Sequence, residues 1–114
     1  MDCELLPVVE VAELLGVRHQ VVRSYLQDHT LLASVGADKV RRIPRCFLDE
    51  QARPVTPVAA LRGTVILLLD GGMNEAEAVE WLLAENDSLG TSPIAALRAG
   101  RVHEVRRVAA CLAL

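Results

Sequence analysis

A chain of 114 residues is long enough for one domain or two tightly fused subdomains, and it can bury a core without disulfides or a metal. Apolar residues make up 52% of it but aromatics only 3%, so Leu, Val and Ala must fill that core, which favours helices. Unbroken apolar runs such as Val65 to Leu69 are far too short to span a bilayer, no basic-then-apolar leader opens the chain, and a net charge of −3 argues against a nucleic-acid ligand for the chain taken whole.

Taken in chain order, the elements separate the charge. Val9 to Leu15 reads as a short helix with Val11, Leu14 and Leu15 on one face, closed by Gly16, which takes the left-handed conformation a helix end needs. Val17 plugs the turn, and a second helix is expected over Arg18 to Asp28, with Val21, Val22, Tyr25 and Leu26 inward. Leu31 to Val35 and Lys39 to Ile43 are strand-like and flank Gly36-Ala37-Asp38, so they read as a hairpin, with Pro44 ending its second strand. Glu50 to Pro57, polar and carrying Pro54 and Pro57, is the best linker candidate, which divides the chain into domains at 1–53 and 54–114.

Helices are expected to dominate the second half. Val58 to Leu69 is strongly apolar and should be buried on most sides, with Gly71-Gly72 breaking it. Asn74 is a fair N-cap for Glu75 to Ala84, Pro93 opens a short helix that Gly100 closes, and Val102 to Leu112 buries Val105, Val108, Ala109 and Leu112. Trp81, between Val79 and Leu82, reads as a core or interface anchor. The fold class is therefore mainly α with a small β-hairpin wing: a winged helix-turn-helix followed by a helical subdomain.

From Gly16 to Leu48 there are six cations against Asp28 and Asp38, a local excess of four, whereas Asp70 to Asp87 holds six acids and no Lys or Arg. A helix-turn-helix sets its second helix in the major groove, where side chains near its N-terminus reach base edges. Here those are Arg18, His19, Gln20 and Arg23, and Arg and Gln are types that pair bidentately with guanine and adenine. The wing would bring Lys39, Arg41 and Arg42, with Arg45 at its base, to phosphate or the neighbouring minor groove. The acidic stretch reads as a solvated face, or more sharply as a surface that repels DNA and turns the basic half toward it.

Other chemistry finds no support. His19, His29 and His103 share no ligand spacing, the serines lack a nucleophile-elbow setting, and no phosphate-cradling loop is present, so neither metal, cofactor nor catalysis is expected. Cys3, Cys46 and Cys111 stand far apart in no ligand pattern and read as reduced thiols of a cytosolic protein, with Cys46 and Cys111 in the core.

Two sets of residues carry a resemblance. Val8-Val9-Glu10-Val11-Ala12-Glu13-Leu14-Leu15-Gly16-Val17, then Val22-Arg23-Ser24-Tyr25-Leu26 and Arg42-Ile43-Pro44, resemble the helix-turn-helix of the MerR and excisionase group. Leu67-Leu68-Leu69-Asp70-Gly71-Gly72, Glu80-Trp81-Leu82, Ser88-Leu89, Pro93-Ile94-Ala95-Ala96-Leu97 and Glu104-Val105-Arg106-Arg107 are similar to the C-terminal domain of a small actinobacterial, mycobacterial-type family of winged helix-turn-helix DNA-binding proteins. The resemblance runs from about Val8 to Ala113 and implies a cytoplasmic transcriptional regulator with double-stranded DNA as partner. Against that family's pattern, Arg18 stands where a small cap or Pro is frequent, His29 stands where Gly is frequent, and the shorter N-terminus implies that a regulatory tail is absent.

Further partners stay open. The Val58–Leu69 or Val102–Leu114 helix could pair with a second copy into a homodimer, and the helical half is loosely similar to the toxin-binding region of some antitoxins. The alternative function is accordingly an antitoxin-type module whose C-terminal half binds a protein partner.

Overall fold

Leu6 is buried between two exposed neighbours, Leu5 and Pro7, and this alternation is that of a strand with one face on the core. The computed structural model describes residues 3–112. Strand β1 (Leu5–Pro7) runs without a break into helix α1 (Val8–Leu15), which buries Val11, Ala12 and Leu15. Gly16 ends α1 at φ 71°, its N–H reaching back to the Ala12 and Glu13 carbonyls, and the half-buried Val17 follows. Helix α2 (His19–Gln27) buries Val22 and Leu26.

The hairpin lies between β2 (Ser34–Val35) and β3 (Arg41–Pro44), shorter and slightly later than the sequence pattern suggests. Leu31 and Leu32 are drawn wholly into the core instead of pairing as strand. Strand β1, which the sequence reading passes over, completes a three-stranded antiparallel sheet in the order β1-β3-β2. Pro44 is the last residue of β3, opposite Leu5, so the strand does stop there.

The segment read as a linker is partly ordered. A 3-10 turn (Arg45–Phe47) leads to β4 (Leu48–Asp49), which pairs antiparallel with β5 (Thr56–Pro57). Beyond it stand α3 (Leu61–Asp70), α4 (Glu75–Leu83), α5 (Pro93–Arg98) and α6 (Val102–Leu112). Helix α3 begins later than Val58 because Ala60, at φ 69°, is left-handed and cannot belong to it. Asn74 caps α4 reciprocally: its side chain accepts from the Glu77 N–H at 2.8 Å, and Glu77 Oε1 accepts from the Asn74 N–H at 3.0 Å. One continuous apolar cluster includes Leu6, Val22, Phe47 and Leu48 from the first half and Leu61, Val65, Leu82 and Val105 from the second. Trp81 is half-buried against it, as is Val108, while Leu112 at the end of α6 is exposed. Residues 113 and 114, where the proposed pairing helix would end, lie outside the described residues.

The cysteines depart from expectation. Cys3 and Cys46 form a disulfide, with Cα atoms 6.0 Å apart, Cys46 is only half-buried, and Cys111 is exposed. The cause is register. The pairs Leu5↔Pro44, Leu6↔Ile43 and Pro7↔Arg42, carried outward, set residue 3 opposite residue 46, and the Arg45 N–H donates to the Glu4 carbonyl at 2.7 Å on the way. Spacing in the sequence gives no sign of a pairing made by a non-local strand ladder. Among the described residues, no helix is long and apolar enough to cross a membrane, and no group of three His, Cys, Asp or Glu side chains is placed to hold a metal ion.

Candidate nucleic-acid interface

Helix α2 buries Val22 and Leu26 and packs the half-buried Tyr25 against the core, which leaves its polar positions outward. Arg18, His19, Gln20, Arg23, Ser24 and Gln27 are all exposed. Gln20, Arg23, Ser24 and Gln27 recur at spacings of three and four, so they share one outer stripe of the helix. Ser24 and Gln27 belong to that stripe although the sequence reading did not single them out; their spacing from Gln20 and Arg23 was the available signal. Arg18 is not helical: it holds the N-cap position in extended conformation, with no side-chain capping bond and no acid in the first turn behind it. The positive end of α2 is therefore left without a carboxylate, the condition that suits an approaching phosphate.

The wing turn is built by Asp38. Its carboxylate accepts from the Val40 N–H at 3.0 Å and from Arg42 Nη2 at 3.0 Å, while the Lys39 N–H closes the turn on the Gly36 carbonyl at 2.9 Å. The Arg42 guanidinium and the Val40 amide hold the Asp38 carboxyl below the usual carboxylate range, and Asp38 in turn raises Arg42. Lys39 sits at φ 61°, a conformation that glycine adopts freely and a lysine does not.

Arg45 is held differently from the other cations. Its guanidinium meets Glu50 in a two-pronged pair and Glu4 at 3.0 Å, and these contacts raise it above the ordinary arginine value. Of the eight residues singled out from the sequence, Arg18, His19, Gln20 and Arg23 thus lie on or at the start of the outer face of α2. Lys39, Arg41 and Arg42 lie on the wing, and Arg45 lies at its base. Among the described residues, Arg18, Arg23, Lys39 and Arg41 make no ion pair, whereas Arg42 and Arg45 do.

The comparisons agree with this architecture in both halves. Residues 1–48 match the family model described as the winged helix-turn-helix domain of the DNA-binding protein Rv2175c, and residues 58–113 match that described as the Rv2175c C-terminal domain of unknown function. The chain belongs to the Rv2175c family. The solved NMR structure of Rv2175c, a mycobacterial protein, superposes with a TM-score of 0.83 at 29% identity, covering 99% of this chain and 83% of that one. No curated protein matches the chain in sequence. For this member of the Rv2175c family, the two departures marked by Arg18 and His29 have visible results: α2 starts without a side-chain cap, and His29 takes φ 68°.

Proposed function

We propose that this protein binds double-stranded DNA as a transcriptional regulator, with the outer face of α2 in the major groove and the wing against the backbone or minor groove. The observation that carries the reading is the exposed face of α2. It presents Arg18, His19, Gln20 and Arg23 with no acid in the first turn, and among the described residues Lys39 and Arg41, on the wing that follows, make no ion pair. Arg23 and Gln20 would read base edges, while Lys39, Arg41 and Arg42 would meet phosphates. Arg45, engaged by two carboxylates, contributes least. So few phosphate contacts bind weakly at physiological salt, which favours a homodimer on two half-sites. The domains at 1–53 and 54–114 would divide the work between DNA contact and support.

The test is a fluorescence-anisotropy titration against random duplex DNA at low and physiological salt, followed by site selection. Binding should weaken steeply with salt. Arg23→Ala should cost about 1–3 kcal/mol on the selected site, and Arg41→Ala should lower the salt slope by about one contact. A folded protein that fails to bind at low salt would remove this reading.

A further inference from the structure

The end of α2 is finished by the second half of the chain. A helix leaves its last carbonyls without partners inside the helix, and something else must satisfy them. Here the Asp28 carbonyl accepts from Arg62 Nε at 2.9 Å, a bond across the boundary between the two halves. The next residue, His29, is left-handed, and its Nε2 lies 3.2 Å from Glu75 Oε1. Arg62 belongs to α3 and Glu75 opens α4.

Helix α4 also reaches the wing. Ser34 and Val35 of β2 line one side of a groove, and Asn74, Glu75, Ala76 and Val79 line the other. The one turn that touches His29 at the end of α2 therefore also flanks the edge strand of the wing. Between α2 and β2 the chain has no regular element; it is pinned by the Leu31 N–H on the Tyr25 carbonyl at 3.1 Å and by the burial of Leu31 and Leu32. Helix α1 packs against both α2 and β3, so the angle between α2 and the wing rests on that shared core and on this short segment, and Arg62 and Glu75 add a hold on the segment from outside.

We infer that the helical second half serves as a clamp that fixes the recognition helix and the wing in one relative geometry, with Arg62 and Glu75 as positioning residues. The inference rests on the DNA-binding reading above. Neither residue touches DNA in this role; each acts through the loop after α2. DNA contacts made from two elements are productive together only when both are held at the right separation, so a loosened clamp lowers affinity without removing a phosphate contact.

The experiment compares the full chain with Arg62→Ala, Arg62→Lys and Glu75→Gln, using anisotropy on a selected duplex across a salt series and amide hydrogen exchange of the free proteins. Arg62 and Glu75 are exposed, so the variants should fold. Arg62→Ala is expected to weaken DNA binding about tenfold with the salt slope unchanged, to speed exchange over residues 25–32, and to be largely rescued by Arg62→Lys, which keeps a donor. Glu75→Gln should act in the same direction and more weakly. Failure of the unaltered chain to bind DNA would sink the DNA-binding reading, and the inference with it. Given binding by the unaltered chain, the clamp is overturned if Arg62→Ala leaves affinity or exchange unchanged. It is overturned equally if the salt slope falls by about one contact, which would make Arg62 a phosphate ligand.

Discussion

Arg45 and Glu50 face each other through two parallel hydrogen bonds, Nε to Oε2 and Nη2 to Oε1, each 2.8 Å. A fork-to-fork pair of this kind fixes both side chains, and Glu4 takes the remaining side of the guanidinium. Arg45 therefore ties strand β1 and the segment after the wing together, and its charge is spent locally. Replacing Arg45 by Ala should leave the salt slope of DNA binding unchanged while lowering the thermal midpoint modestly, since the pair is substantially exposed. A slope reduced by about 0.9 would instead assign Arg45 to a phosphate.

Lys39 offers the opposite balance. Its φ of 61° strains an L-residue by roughly 1–2 kcal/mol, whereas glycine adopts it freely. Lys39→Gly should therefore stabilise the fold, by about 1 kcal/mol in denaturant melts. The same change should weaken DNA binding and reduce the salt slope by about 0.9, because the proposed phosphate contact is gone. A variant that gains stability and keeps its full slope would show that Lys39 is only a turn residue.

The helices were legible because their signals are local. Gly16 and Val17 mark the turn, Asn74 with Glu77 forms a capping box, and Pro93 opens α5, so each boundary falls within a few residues of its expected place. What escaped depends on contacts distant in the chain. Strand β1 is only three residues long and exists because β3 offers it an edge; the Cys3–Cys46 pair follows from the same ladder. The outer face of α2 could be read from periodicity. The engagement of Arg42 and Arg45 could not, since a charge count sees cations but not the carboxylates that fold beside them. Arg62 carried no signal at all, because its partner is a backbone carbonyl.

Acid should destabilise the protein through specific carboxylates. Asp28 is held below the ordinary Asp value of 3.8 mainly by the Thr30 hydroxyl and then the Thr30 N–H, and Asp38 is held below it mainly by Arg42. Glu50 and Glu104 are held below the ordinary Glu value of 4.5 mainly by Arg45 and Arg101. A carboxyl whose value is depressed by folding contributes stability that is fully present above its unfolded value and lost as pH falls through the folded one. The thermal midpoint should thus stay level from pH 7 to about 5 and fall below about 4. Glu50→Gln should flatten part of that acid limb; an unchanged limb would mean that the Arg45 pair does not couple to folding.

Gly63 decides between two opposed effects. It lies inside α3 with an ordinary helical backbone, where Ala is favoured over Gly by about 0.5–1 kcal/mol. Against this, an added Cβ would lie 2.5 Å from Arg106 Nη2, closer than such contacts allow. The obstructing atom is the far end of a flexible, exposed side chain, and among the described residues Arg106 has no ion-pair partner holding it there. The guanidinium can swing away at little cost, so the helical preference should win. Gly63→Ala is expected to raise the thermal midpoint by about 2–5 °C, read by circular dichroism. Should it fall instead, and the added Arg106→Ala change restore it, the guanidinium would be shown to be fixed over α3.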